Sequence, residues 1–365
     1  MRNATRSAAL LGAAALLFGA CGAGPTPPAQ LTTVSLQLQW EPQAQFAGYF
    51  AADREGYYAA EGLKVTMLRA GADIQPHVIG SDSNGPEFTI SWVPKVLEVR
   101  EKGQSDLVNI AQVFQRSGTR SVSWKESNIT SPADFKGKKV GVWDFGNEYE
   151  VTAAGLLFNL KAGTDYTKVI QPFNMDLLLN REIDVAEAMI YNEYAQVLEA
   201  KNPATGQLYQ PGDLNVIDYN EVGTAMLQDA IYVRQAWLDQ AGNKDIAVKF
   251  LRASFRGWMF CRDNAEKCIQ YTVDAGSTLP AGHQKWMMNE ILTLIWPSPN
   301  GIGQMPLDTW AKTVAVSKGA AILTKDPDAN AYRTDLAEAG RQGIQGDVNG
   351  NDFKKGVVEV TPGGE

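Results

Sequence analysis

Residues 34–67 read VSLQLQWEPQAQFAGYFAADREGYYAAEGLKVTM, and this stretch decides the fold. Val34, Leu36 and Leu38 alternate with polar residues, the period of a strand with one face buried. Trp40 closes that strand, and Pro42 interrupts the chain just beyond it. A helix opens at Phe46-Ala-Gly-Tyr-Phe-Ala-Ala and ends near Gly56; after Gly62, Leu63, Val65 and Met67 alternate again. Strand, helix and strand make one βαβ unit. In open α/β sheets, small molecules sit in the crevice outside the carboxyl ends of the strands. The unit therefore sets Trp40, Gln43, Gln45 and Phe46 where such a molecule would lie.

The same alternation continues downstream. A short helix is expected over 73–78, a strand over 88–91 ending in Trp92, a helix over 96–101 and an apolar strand over 107–114. Gln115-Arg116-Ser117-Gly118 reads as a crossing into a second α/β series, with strands at 121–124, 139–143, 169–170, 185–190 and 216–219 and a helix over 149–160. A second crossing is expected near 220–223. The strand at 230–233 then resumes the first series, and the chain is mainly helical after Ala236. One α/β lobe is thus interrupted by another, and two connections permit hinge closure around a ligand. The expected division is 33–115 and 222–345 for the first lobe, 116–221 for the second and 346–365 for a tail. There is no solenoid repeat.

The N-terminus carries an address. Arg2 and Arg6 precede an apolar run over 8–20, shorter than the roughly 20 residues of a membrane span. Residues 1–20 read as a signal peptide. Leu17-Phe-Gly-Ala-Cys21 looks like a lipoprotein cleavage box, which would leave a lipid-modified Cys21 as the mature N-terminus. The alternative is ordinary cleavage nearby with an unmodified cysteine. Residues 21–32 form a tether, rich in Gly, Pro and Ala. The formal charge of −8 becomes −10 on loss of Arg2 and Arg6, since no acid precedes Cys21. No basic stripe appears, so nucleic acid is not an expected partner. No second long apolar run appears, so no pore is expected, and a monomer is.

Cys261 and Cys268 in FCRDNAEKC flank a break at Asp263-Asn264 between two helical segments. An exported compartment permits a disulfide there; two buried free thiols are the alternative. A zinc site is not expected, because His77 and His283 are the only histidines and neither is spaced for a metal. Asp347-Val-Asn-Gly-Asn-Asp352 has calcium-loop flavour, but it lacks the sixth-position glycine and the twelfth-position glutamate. No cofactor is expected.

Three strands end in tryptophan, at Trp40, Trp92 and Trp143. The switch-point rule puts all three near one cleft, where a flat aromatic ligand gains from stacking. Closure of each lobe's own core is the competing role. Asn147 and Glu148 follow Trp143 at the start of a helix, whose unpaired N–H groups can receive carbonyls or anions; Asn147 would serve equally as a helix cap. Tyr191, Asn192 and Glu193 follow another strand and offer a stacking ring, an amide edge and an acceptor. Gln115, at the first crossing, completes the candidate set.

The chain also carries a resemblance. Trp40-x-Pro42-Gln-Ala-Gln-Phe-Ala-Gly-Tyr, Glu55-Gly-Tyr-Tyr, Glu61-Gly-Leu-x-Val, Gly137-Lys-Lys-Val-Gly-Val-Trp, Met189-Ile-Tyr-Asn-Glu-Tyr and Trp296-Pro-Ser-Pro-Asn-Gly-Ile-Gly resemble ABC-importer solute-binding proteins for thiamine pyrimidine precursors, a family with riboflavin-binding relatives. The resemblance implies a two-lobed periplasmic-binding-protein type II fold, an aromatic heterocycle such as riboflavin, formylaminopyrimidine or hydroxymethylpyrimidine sandwiched in the cleft, and an ABC permease as partner. It makes Trp40 the first-lobe stacking candidate, and Tyr191 and Glu193 second-lobe binding candidates. Phe46 stands where pyrimidine binders carry a histidine, which favours a larger ring system such as a flavin. Eukaryotic pyrimidine synthases of this fold need a histidine donor and a cysteine-rich segment, neither visible here, so no enzyme activity is expected. The alternatives are that synthase activity and an alkanesulfonate, taurine or nitrate binder, whose anion Arg116, Ser117 and Thr119 would hold.

Overall fold

The computed structural model describes Met1 and residues 30–365; the signal segment, Cys21 and nearly all of the tether lie outside the described residues. Among the described residues ten strands form, in chain order β1 (Thr32–Gln37), β2 (Leu63–Leu68), β3 (Phe88–Ser91), β4 (Leu107–Gln112), β5 (Thr119–Trp124), β6 (Lys139–Val142), β7 (Thr167–Ile170), β8 (Val185–Met189), β9 (Leu214–Asp218) and β10 (Ala230–Arg234). They make two five-stranded sheets, ordered β2-β1-β3-β10-β4 and β7-β6-β8-β5-β9. Each sheet is parallel except for one strand. That strand is β10 in the first sheet and β5 in the second, each antiparallel to both of its neighbours. Each is also the first strand after a crossing, and the two sheets have the same strand order with that strand in the same place. This is the two-lobed type II binding-protein architecture, with helices on the faces of each sheet.

The βαβ unit forms as its periodicity requires. β1 and β2 pair in parallel from Thr32↔Leu63 to Gln37↔Leu68, and the helix Ala47–Arg54 joins them. β1 stops at Gln37, so Trp40 lies three residues past the ladder, in the turn over the carboxyl end of the sheet. The apolar run at 107–114 pairs only as far as Gln112, because the next residues leave the sheet as the first crossing. The helix expected over 149–160 ends at Leu157; Asn159, with φ 59°, turns the chain out of it.

The first core packs the sheet against the long helix Asn243–Asp263. Phe250 stacks on Phe88 at 3.8 Å and 9° and on Tyr58 at 5.4 Å and 18°. Full burial of a ring of this size contributes about 1.5–3 kcal/mol. Cys261 closes that helix and Cys268 lies in the next, Ala265–Asp274, with Cα atoms 5.5 Å apart and both side chains fully buried. The helix Ala281–Ile295 touches both lobes: Gln284 Oε1 accepts from Ala44 N of the first, and Trp286 Nε1 donates to Ile190 O of the second. Among the described residues no helix is long and apolar enough to cross a membrane. Asp347 Oδ1 accepts from the N–H groups of Asn349 and Gly350, so the calcium-like stretch is a closed turn.

The helices Ala47–Arg54 and Asn243–Asp263 meet where neither chain leaves room for a side chain. A Cβ on Gly257 would lie 1.9 Å from Gly48 O, and one on Gly48 would lie 2.2 Å from the Trp258 ring. Gly257→Ala is therefore expected to cost about 1–3 kcal/mol by overpacking. Urea unfolding measures this as a lowered midpoint; an unchanged midpoint would show that the helices can separate freely.

Candidate functional site

The site rests on the two crossings. Gln228, on the second, accepts from Gly118 N at 2.8 Å and donates to Thr119 Oγ1 at 2.7 Å, on the first. Glu150 joins the same pair: one oxygen accepts from Ser117 Oγ at 2.8 Å and the other from Met226 N at 3.0 Å. Asp229, one residue past Gln228, turns toward the first lobe. Its carboxylate accepts from Gln45 Nε2 and from Trp92 Nε1, both at 2.8 Å, and Gln43 Nε2 donates to Gln45 Oε1 at 2.6 Å. A buried chain of hydrogen bonds thus runs from the crossing to the cleft.

The cleft lies outside the carboxyl ends of β1, β3, β6 and β8. Trp40, Gln43, Gln45, Trp92, Trp143, Asn147, Tyr191, Asn192 and Glu193 line it with Gln39, Phe173 and Met189. Phe173 is its half-exposed centrepiece. Its ring meets Trp40 at 4.4 Å, tilted by 50°, and lies nearly parallel to Trp143 at 5.9 Å and 18°. Contacts close the mouth from both sides. Lys95 Nζ of the first lobe donates to Asn147 Oδ1 of the second at 2.6 Å, and the Tyr149 hydroxyl donates to Glu98.

Three candidates fall outside the lining. Phe46 is fully buried in the first core, because the turn at 44–46 directs it inward. Its replacement of a histidine therefore says nothing about ring size. Gln115 spends its amide on the carbonyls of Gln112 and Gln304. Glu148 accepts from Gly146 N and pairs with Lys168. Asn147 does not cap the helix Tyr149–Leu157; its amide reaches Asp144 O and Lys95 instead. The anion trio is also spent. Arg116 donates to the carbonyls of Thr293, Trp296 and Pro297, which gives the Trp296-Pro motif its place at the hinge, while Ser117 and Thr119 serve Glu150 and Gln228.

Sequence reasoning missed Gln39, Phe173 and Met189. Met189 ends β8, and Phe173 follows β7 by three residues, so the strand-end rule applied to every strand would have found both. The strand at 169–170 is expected from the sequence, but the rule is applied there only where an aromatic or amide residue ends a strand or follows it directly, and Phe173 lies three positions past β7.

Burial sets the electrostatics. Removal from water pushes the carboxyls of Glu193 and Asp229 up to about 7 and that of Glu150 up to about 8, against the donors each receives. Burial lowers the Lys95 ammonium to about 8. Glu193 accepts from Met189 N and from Asn192 Nδ2, while Asn192 Oδ1 faces His283 Nε2 at 3.0 Å. Among the described residues no cluster of three or more metal-ligating side chains occurs.

A cleft between two hinged lobes, walled by rings and rimmed with amides, defines a small-molecule binding protein. The chain belongs to the NMT1/THI5 like family, whose profile matches residues 43–268. It is 24% identical over 318 residues to the riboflavin-binding protein RibY of Chloroflexus aurantiacus, covering 84% of this chain and 86% of that one. It is 21% identical to the formylaminopyrimidine-binding protein of Halalkalibacterium halodurans, covering 78% and 84%. In fold it matches the periplasmic aliphatic sulphonate binding protein SsuA of Escherichia coli with TM-score 0.59 at 14% identity, covering 81% of this chain and 90% of that one. The desulfurization enzyme DSZB shares the fold, with TM-score 0.55 at 11% identity over 85% and 98% of the two chains.

The buried carboxyls give stability a pH dependence. Their folded-state values lie above the ordinary 3.8–4.5, so the folded chain binds more protons than the unfolded one from about pH 4.5 to pH 7–8. Their contribution is complete below the unfolded values and is lost as pH rises through the folded ones. His77, held down at about 4, opposes this only below about 6.5, and Lys95, lowered to about 8, opposes it only as pH nears 8 and above. Chemical unfolding is expected to show stability falling from pH 6.5 to pH 8; a flat or rising profile would contradict the buried-acid assignment.

Proposed function

We propose that this chain is the extracytoplasmic receptor of an ABC importer and binds an aromatic heterocycle, riboflavin or a thiamine pyrimidine precursor, between its lobes. The observation that carries this is the slot formed by Trp40, Phe173 and Trp143, drawn from both lobes. A ring held there gains about 0.5–1.5 kcal/mol per aromatic partner beyond area burial. Because Trp40 belongs to one lobe and Trp143 to the other, the ligand binds the closed form better than the open one and shifts the population toward it. The relatives named for riboflavin and formylaminopyrimidine support the same ligand class. The role is delivery without catalysis: Asp229, Glu150 and Glu193 are tied to amide, indole, hydroxyl and backbone donors at the hinge and cleft wall. The lobes divide as 33–115 with 222–345, and 116–221.

Export and anchoring belong to the same reading. Cys21 carries the lipid, and Cys261 and Cys268 are joined in the oxidising compartment. Mass spectrometry of the exported protein, digested without reduction, is expected to find a diacylglyceryl N-terminal Cys21 peptide and a linked Cys261–Cys268 pair. A mature N-terminus elsewhere removes the anchor; free thiols at both positions remove the disulfide.

Isothermal titration with riboflavin, formylaminopyrimidine, hydroxymethylpyrimidine, taurine and nitrate tests the ligand class. At least one heterocycle is expected to bind, and Trp40→Ala to weaken it by roughly tenfold, about 1.4 kcal/mol. Tight binding of taurine or nitrate alone would overturn the class; unchanged affinity in Trp40→Ala would remove the stacking role.

A further inference from the structure

The floor of the cleft is a relay of side-chain hydrogen bonds whose direction is decided at one end. The Trp92 indole N–H can only donate, so Asp229 Oδ1 accepts from it, at 2.8 Å. The other carboxylate oxygen accepts from Gln45 Nε2 at 2.8 Å, which turns Gln45 Oε1 toward Gln43. Gln43 Nε2 donates to that oxygen at 2.6 Å. An amide has a donor end and an acceptor end, so fixing one amide fixes the next. Asp229, Gln45 and Gln43 are all buried, so bulk water does not compete for these bonds.

The relay ends at the cleft. Gln43 lines it, and with Nε2 committed to Gln45 the end left over is Oε1. That oxygen accepts no hydrogen bond among the described residues and, unlike the unpaired Gln39 Oε1, it is not sealed from the surface. The relay therefore delivers an acceptor to the cleft. This direction depends on the charge of Asp229. An ionised carboxylate only accepts; a protonated one, or an amide in its place, also donates. A donor at position 229 would meet Gln45 Oε1, both glutamine amides would reverse, and the free end of Gln43 would become Nε2.

We infer that Asp229 sets the direction of this relay and so selects ligands that bring an N–H donor, rather than an acceptor, to Gln43. The inference rests on the heterocycle reading of the cleft and adds what orients the ring's edge within it. Asp229 is a positioning residue: it touches Gln45 and Trp92 and acts on the ligand through Gln43. Burial pushes its carboxyl up to about 7, so the change of direction falls near neutral pH. Lys95, on the helix Val93–Glu101, opposes that shift by its charge. Tyr49, Tyr191 and Tyr232 are the other titratable groups on which the Asp229 charge acts. Above about pH 7 Asp229 is ionised and Gln43 offers an acceptor; below it the acid donates, and the selection for N–H is lost.

The test pairs each heterocycle with an analogue that lacks the N–H: riboflavin with N3-methylriboflavin, and hydroxymethylpyrimidine with the analogue whose amino group is replaced by methoxy. The full chain is titrated with both pairs at about pH 6 and about pH 8, on either side of the Asp229 transition. For the pair whose parent binds, wild type is expected to prefer the parent by at least about tenfold at the higher pH, with the gap narrowing at the lower. Asp229→Asn keeps the bonds and reverses the relay: the new side-chain oxygen accepts from Trp92 while its amide donates to Gln45. It is expected to melt near the wild-type temperature and to lose the gap at both pH values. Gln43→Leu is expected to lose it as well. A gap that survives Asp229→Asn reports a steric clash of the analogue, or titration of Glu193, and overturns the inference. Equal wild-type affinity for parent and analogue at the higher pH overturns it too, while leaving the heterocycle reading in place. Failure of both parents to bind would remove the two together.

Discussion

The structure depends on a hydrogen-bonded knot where the chain passes twice between its lobes. Gln228 on the second crossing grips Gly118 and Thr119 on the first, and Glu150 bonds Ser117 on one and Met226 on the other. All these groups are buried, so each bond is made in a medium where an unpaired partner is costly. The knot sits where β5 and β10 begin, the strands that follow the crossings and the antiparallel members of their sheets. Once those strands are set, the remaining strands point their carboxyl ends at one another across the cleft.

From that arrangement the site is built. Asp229, adjacent to Gln228, holds Trp92 and the Gln45–Gln43 pair in fixed orientations at the floor of the cleft. The parts that meet across the cleft are contacts of a looser kind: a lysine on an asparagine, a tyrosine on a glutamate, and Trp40 on Phe173. The floor is thus built before closure and the walls are completed by it, as a hinged receptor requires. In the proposed complex, a bound ring would replace the Trp40–Phe173 contact between the lobes with contact of the same kind.

The fold was legible because both periodicities were clean. Residues 34–67 alternate, turn helical and alternate again, and each later strand carries at least two apolar residues. Nine of the twelve ligand-facing candidates line the cleft because they were chosen by one physical rule, the position just past a strand. The failures share one cause. Phe46 and Gln115 lie near strand ends in sequence, but the local turn decides which way a side chain points, and sequence does not record that. Arg116, Ser117 and Thr119 look like an anion cradle in one dimension and are hinge fasteners in three.

The central claim is that a flat ring lies between Trp40 and Trp143 when the protein is loaded. A crystal structure of the protein with its bound heterocycle tests it directly. The account predicts the ring within stacking distance of both indoles, with Phe173 displaced from its present place or stacked on the ring's edge, and with the hinge bonds of Gln228 and Glu150 intact. A ligand seated against Arg116, Ser117 and Thr119, or a ring bound outside the cleft with Trp40 still packed on Phe173, would contradict it.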